Sequence, residues 1–194
     1  MPSVQDFWRL LKDVQHLVAW ALGAAAAAIA AGFLSLAPPW PPAVVQTTAL
    51  LELVVLILVY QYLKDAPRRV INLVIASAAI LLCVSSIMYL AGLSQFTFTE
   101  PVSSLRFVKG FVCTSDASLL YADKCPWLHD DQLREAEWEA PRLWLLWSIT
   151  VVRVGLVLLW SISFLALSCL LGSFAVYQRT KAKKISNKKA SSQV

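Results

Sequence analysis

A chain of 194 residues that is 58% hydrophobic is far more apolar than a soluble domain, where an apolar share of about 45 to 50% is usual. Its net charge of +5 collects at the edges of long apolar runs, which excludes nucleic acid as the reason for it. Four such runs take up so much of the chain that a second independent domain is excluded.

Residues 1–16 place Val4, Phe7, Trp8, Leu11 and Val14 at helical spacing, with Asp6, Arg9, Lys12 and Asp13 facing away. That pattern predicts an amphipathic helix lying in a membrane interface. Residues 17–37 then form the first predicted span. Its apolar core exceeds the roughly 7 to 15 residues of a signal peptide, so a retained helix is expected. Gly23, Ala27 and Ala31 make a ladder of small residues at four-residue spacing. Such a face allows close helix packing, within a bundle or between subunits.

Pro38, Pro39, Pro41 and Pro42 end that helix, because proline cannot donate to the helical ladder. So short a break makes the next span, 43–63, antiparallel to the first. Lys64, Arg68 and Arg69 mark the following break, and 70–93 is the third span; Val70 to Thr99 holds thirty residues without a charge.

The segment 95–142 is polar and contains Cys113 and Cys125. An even pair on an oxidising face reads as a disulfide, contributing about 3 kcal/mol for a loop of this size. Asp131, Glu135 and Glu139 recur at four-residue spacing, which predicts an acidic helix face opened by Asp130 or Asp131. A solvated face accounts for these acids without a metal ion. Trp127, Trp138, Trp144 and Trp147 form a candidate aromatic surface at the membrane edge.

Residues 143–177 make a fourth span. As a helix it would measure about 52 Å against a hydrocarbon core of about 30 Å, so part of it tilts or projects. The tail, 178–194, has no apolar periodicity and is expected to be mobile. Its Lys181, Lys183, Lys184, Lys188 and Lys189 suit an anionic membrane surface.

Eleven basic residues flank the spans on the side of the termini, against five in 95–142. The positive-inside rule then sets both termini in the cytoplasm and 95–142 outside, in a plasma or bacterial inner membrane. Glu52 lies roughly 13 Å into the second span and Arg153 roughly 15 Å into the fourth. Intramembrane charges of matched depth suggest an ion pair. The alternatives are an Arg153 that snorkels outward and a Glu52 that is protonated or bonded to Gln46 or Thr48.

The fold class that follows is an all-α polytopic membrane protein. It is a four-transmembrane-helix antiparallel bundle with a small disulfide-clasped external segment between helices 3 and 4. Cytoplasmic termini, four spans and cysteines between the last two resemble the layout of tetraspan proteins such as the MARVEL and tetraspanin groups, although the Cys-Cys-Gly signature of tetraspanins is absent.

The chain has no GxSxG, HExxH or phosphate-cradling glycine loop, so no catalytic residue, cofactor or metal is expected. The expected function is a non-enzymatic oligomeric scaffold or sensor, for example of envelope disturbance with a separate effector. Its partners are the lipid bilayer, a second copy and a cytoplasmic or membrane protein, and nucleic acid is not among them. An oligomeric ion channel or small transporter with Glu52 on the pathway is one alternative. A membrane thiol oxidoreductase is another, disfavoured by the lack of a CxxC pair.

Overall fold

The computed structural model describes residues 23, 26–34, 36–101 and 105–191. The amphipathic helix expected over 1–16 and the start of the first span lie outside the described residues. Helix α1 is described at residues 23 and 26–33. It is followed by α2 (Val44–Leu63), α3 (Arg68–Phe96), strands β1 (Thr97–Thr99) and β2 (Arg106–Val108), the short helices α4 (Ser115–Leu120), α5 (Asp130–Glu135) and α6 (Ala140–Leu143), and α7 (Leu146–Ser191).

Among the described residues three helices are long and apolar enough to cross a membrane: Val44–Leu63, Arg68–Phe96 and Leu146–Gln178. Large apolar side chains stand uncovered on each of them, including Leu50 and Leu58 on α2, Leu73, Ile80 and Ile87 on α3, and Leu158 on α7. Faces of that extent belong in lipid or against other helices, since soluble monomers rarely expose apolar patches beyond a few hundred Å².

The chain divides into two compact units. In the first, formed by the described parts of 23–36, 45–84 and 161–191, α2 buries Thr48, Glu52, Leu56 and Leu63. These recur three to four residues apart in multiples, so they fall on one helical stripe. Gly172 of α7 meets this stripe where a Cβ would stand 3.0 Å from Val59 Cγ1 and 3.6 Å from the Leu56 carbonyl. Further along, Leu63, Ile71 and Val176 form a buried cluster. Contacts therefore advance together, from Leu56 to Leu63 on α2 and from Gly172 to Val176 on α7, so the two helices run parallel here.

The second unit holds 37–44 and 85–160. Where α3 meets α7, the Tyr89 and Trp160 rings pack at 5.5 Å, and a Cβ on Gly92 would lie 3.2 Å from Leu156. Beyond them the polar segment folds into a small cap with its own core. Buried Phe98, Val108, Leu128, Leu133, Leu143, Trp144 and Ile149 form that core.

The chain is mostly helical, and the cap adds one short two-stranded ribbon to it. Thr97-Phe98-Thr99 and Arg106-Phe107-Val108 pair antiparallel, with Phe98 opposite Phe107. Alternating β-branched and aromatic residues suit a pleated, half-buried ribbon, and Phe98 and Val108 are its buried residues. α7 is helical to Ser191, so the helix of the fourth apolar run continues past Tyr177. Alanine and lysine are good helix formers, so a helix already nucleated in the apolar run propagates into them.

Candidate functional site

The cap is built around the Cys113–Cys125 disulfide. Residues 112–114 run antiparallel to 142–145. The Leu145 N–H donates to the Val112 carbonyl at 3.0 Å and the Thr114 N–H to the Leu143 carbonyl at 3.0 Å. Thr114 also opens α4, its Oγ1 accepting from the Ala117 N–H at 3.3 Å, and its hydroxyl donates to the Arg142 carbonyl at 2.9 Å. One cysteine is thus anchored beside the start of α7 while the other ends the turn after α4.

Trp144 fills the centre. Its side chain is fully buried, and its indole N–H donates to the Pro126 carbonyl at 3.1 Å, which satisfies the one polar atom such a ring brings inside. Gly110 lies against it, and a Cβ there would stand 2.6 Å from Trp144 Cβ and would strike Ser148 Oγ. Ser148 hydrogen-bonds back to the Leu145 carbonyl at 2.8 Å. Only glycine fits that space.

The aromatic surface expected from four tryptophans is therefore corrected. Trp144 is core. Trp138 packs on Phe98 at 6.1 Å after Glu137 and Trp138 take left-handed backbone angles, φ 55° and 61°. Trp127 and Trp147 remain about half exposed, the latter edge-on to Phe111 at 5.2 Å.

The same left-handed pair breaks the predicted acidic face. α5 stops at Glu135, so Glu139 is carried off that helix and pairs with Arg142 at 2.6 Å. Nor does an aspartate cap α5. His129 is the N-cap, its N–H donating to Gln132 Oε1 at 3.0 Å, while Asp130 and Asp131 occupy the first turn, where the helix dipole favours negative charge. Among the described residues no cluster of three or more His, Cys, Asp or Glu is placed to hold a metal.

Two cap residues have displaced ionisation. Burial lowers the Lys109 ammonium, and the nearby Asp130 charge partly opposes that shift; its Nζ donates to the Leu128 carbonyl at 3.2 Å. Tyr121 donates its hydroxyl to Glu135 Oε2 at 2.5 Å, and that bond, with a smaller effect of desolvation, raises the phenol above its ordinary value.

In the first unit Glu52 is fully buried, and neither of its oxygens has a hydrogen-bond partner. Neither Gln46 nor Thr48 donates to it. Arg153, on the α7 portion within the second unit, has an unpartnered Nε. Ser168 Oγ of α7 is likewise fully buried and unpartnered. Sequence reasoning passed over Ser168, since a serine in an apolar helix gives no signal without its neighbours.

Of the small-residue ladder, Gly23 has nothing described within 4 Å of a Cβ built on it, and Ala27 and Ala31 are half-buried. Among the described residues of α1, the fully buried one is Ala28. Lys181, Lys183, Lys184, Lys188 and Lys189 lie on the helical backbone of α7, their side chains outside the described residues. Cys83 and Cys169 are free thiols.

No family model, curated protein or solved structure matches the chain.

Proposed function

We propose that the protein is a non-enzymatic membrane scaffold or sensor that couples a disulfide-clasped external cap to a basic cytoplasmic segment through α7. One observation carries this reading: α7 is a single helix from Leu146 to Ser191, and Ile149 in its first turn belongs to the cap core. A helix of that length extends about 69 Å, against roughly 30 Å of hydrocarbon. It is long enough to begin in the cap, cross lipid and emerge beyond it.

In this reading residues 17–37 supply a fourth span and complete an antiparallel bundle. The basic breaks and tail hold both termini in the cytoplasm of a plasma or bacterial inner membrane, with the cap outside. The uncovered apolar faces take lipid and a second copy, and the lysines of the tail meet anionic lipid or a protein partner.

The test places a nitroxide label at Ser186 of the full chain in vesicles and compares the oxidised protein with one reduced at Cys113–Cys125. A sensor changes its label spectrum on reduction, whereas identical spectra contradict coupling along α7.

A second reading, an oligomeric ion channel or small transporter, is favoured by the unpartnered, buried carboxyl of Glu52. Ion flux across reconstituted vesicles that is altered by Glu52→Gln would support it. Robust assembly without flux counts against it.

A further inference from the structure

We propose that Arg153 binds the phosphate of a phospholipid headgroup where the cap meets the edge of the bilayer. The proposal rests on the reading of α3 and α7 as membrane spans, and goes beyond it by assigning a ligand to the charge that α7 carries at that edge.

The level of the edge follows from both helices. A hydrocarbon core takes about 20 helical residues. Counted from Arg69, the last basic residue before the apolar run of α3, that number ends at Tyr89; counted back from Arg179, the first basic residue after the run of α7, it ends at Leu159. The two counts are independent, and the fold brings their ends together, since the Tyr89 ring packs on Trp160 at 5.5 Å. Tyrosine and tryptophan are the residues that membrane interfaces favour. Arg153 precedes Trp160 by two turns, about 10 Å on the cap side. That places it at the rim of a headgroup layer about 5 to 8 Å deep, within reach of the phosphates for so long a side chain.

Its surroundings leave the charge open in that direction. Ile149, Arg153, Leu156 and Trp160 are spaced by four, three and four residues, so they share one face of α7. Ile149 belongs to the cap core, Leu156 lies against Gly92 and Trp160 against Tyr89. Arg153 therefore stands between the cap core and the contact with α3. Its Nε is buried without a partner, while the residue as a whole is half-buried, so Nη1 and Nη2 form the accessible edge. Among the described residues no acid pairs with it: Glu137 and Glu139 hold Arg142, and Glu135 takes the Tyr121 hydroxyl. Following Tyr89 and Gly92, the next residue on the facing stripe of α3 is Phe96, where Trp127 packs at 5.6 Å. Trp127 is about half exposed and supplies a further interfacial ring near this level.

A guanidinium without an acid beside it needs a counter-charge, and the two free oxygens of a phosphodiester match the fork of Nη1 and Nη2 in a bidentate pair. Every phosphoglyceride carries that group. Inorganic phosphate offers the same oxygens without the membrane, and the experiment separates the two sources.

Solid-state NMR of the full chain with nitrogen-15 arginine, in phosphatidylcholine vesicles, reads guanidinium signal dephased by lipid phosphorus-31. The chain has eight arginines, so the contact is taken as the difference between wild type and Arg153→Gln. Wild type should show the greater dephasing. Equal dephasing in the two proteins overturns the proposal. The same Arg153-dependent dephasing by inorganic phosphate in maltoside micelles overturns the lipid assignment. Proton spin diffusion from the acyl chains to α7 is read on the vesicle sample: with it present, a missing phosphate contact defeats the site alone, and with it absent the membrane reading falls as well. Should Arg153→Gln not fold, Arg153→Lys keeps the charge, deletes the same guanidinium and gives the same decision.

Discussion

The indole N–H of Trp144 donates to the carbonyl of Pro126 at 3.1 Å, tying the residue just ahead of α7 to the residue just after Cys125. The bond lies at the centre of the cap core, where Trp144 has no exposed surface. Trp144→Phe keeps most of the ring but leaves the Pro126 carbonyl without its donor. The cap should lose about 1 to 3 kcal/mol. Hydrogen exchange of peptides over 106–145 measures this, and unchanged protection would show that the bond contributes nothing.

Removing the disulfide should cost a similar amount by another route. Cys113 and Cys125 are twelve residues apart, and opening a loop of this size frees the unfolded chain by about 3 kcal/mol. A double Cys→Ser variant should therefore melt earlier in the cap, with the apolar helices α2 and α3 unaffected. Exchange that rises equally everywhere contradicts a clasp local to the cap.

At Gly172, α7 comes close to α2. Gly172→Leu forces its side chain into Val59, which stands 3.0 Å from even a Cβ. Overpacking of this kind typically costs about 1 to 3 kcal/mol. Thermal melting in detergent should fall for this variant and not for Gly155→Leu, since nothing lies within 4 Å of a Cβ at Gly155.

The long apolar elements were legible in the sequence because length and lack of charge suffice to define them: 43–63 and 70–93 fall on α2 and α3. The cysteine pairing was legible from number and spacing. The cap interior was not. Trp144 and Trp147 look alike in sequence, and only the antiparallel pairing of 112–114 with 142–145 puts one inside and leaves the other exposed. Asp131, Glu135 and Glu139 suggested one helix face because nothing in the residues Glu137 and Trp138 announces left-handed angles, which non-glycine residues adopt rarely. Gly172 gave no signal either, since its meaning lies in the Val59 and Leu56 that α2 places opposite it.

Ionisation of the cap should show in its stability. Lys109 has its folded value lowered by burial, so between the folded and the unfolded values the unfolded chain binds more protons. Stability therefore rises as pH climbs through that window. Tyr121 has the opposite sign: its raised folded value means that its contribution is complete below the ordinary tyrosine range and is lost as pH rises through the folded value. Ultraviolet titration should show Tyr121 ionising late and Glu135→Gln bringing it back toward the ordinary value. No difference between the two proteins contradicts the bond.

The most direct test is a nitroxide scan along α7 in vesicles, from residue 146 to 191, reading access to oxygen and to a water-soluble relaxation agent at each position. The expected result is one uninterrupted helical period, with the water-soluble agent excluded over a central stretch of about 20 residues and admitted at both ends. Access to that agent along the whole helix, or loss of the period before Gln178, would contradict a membrane-crossing rod that joins the cap to the basic tail.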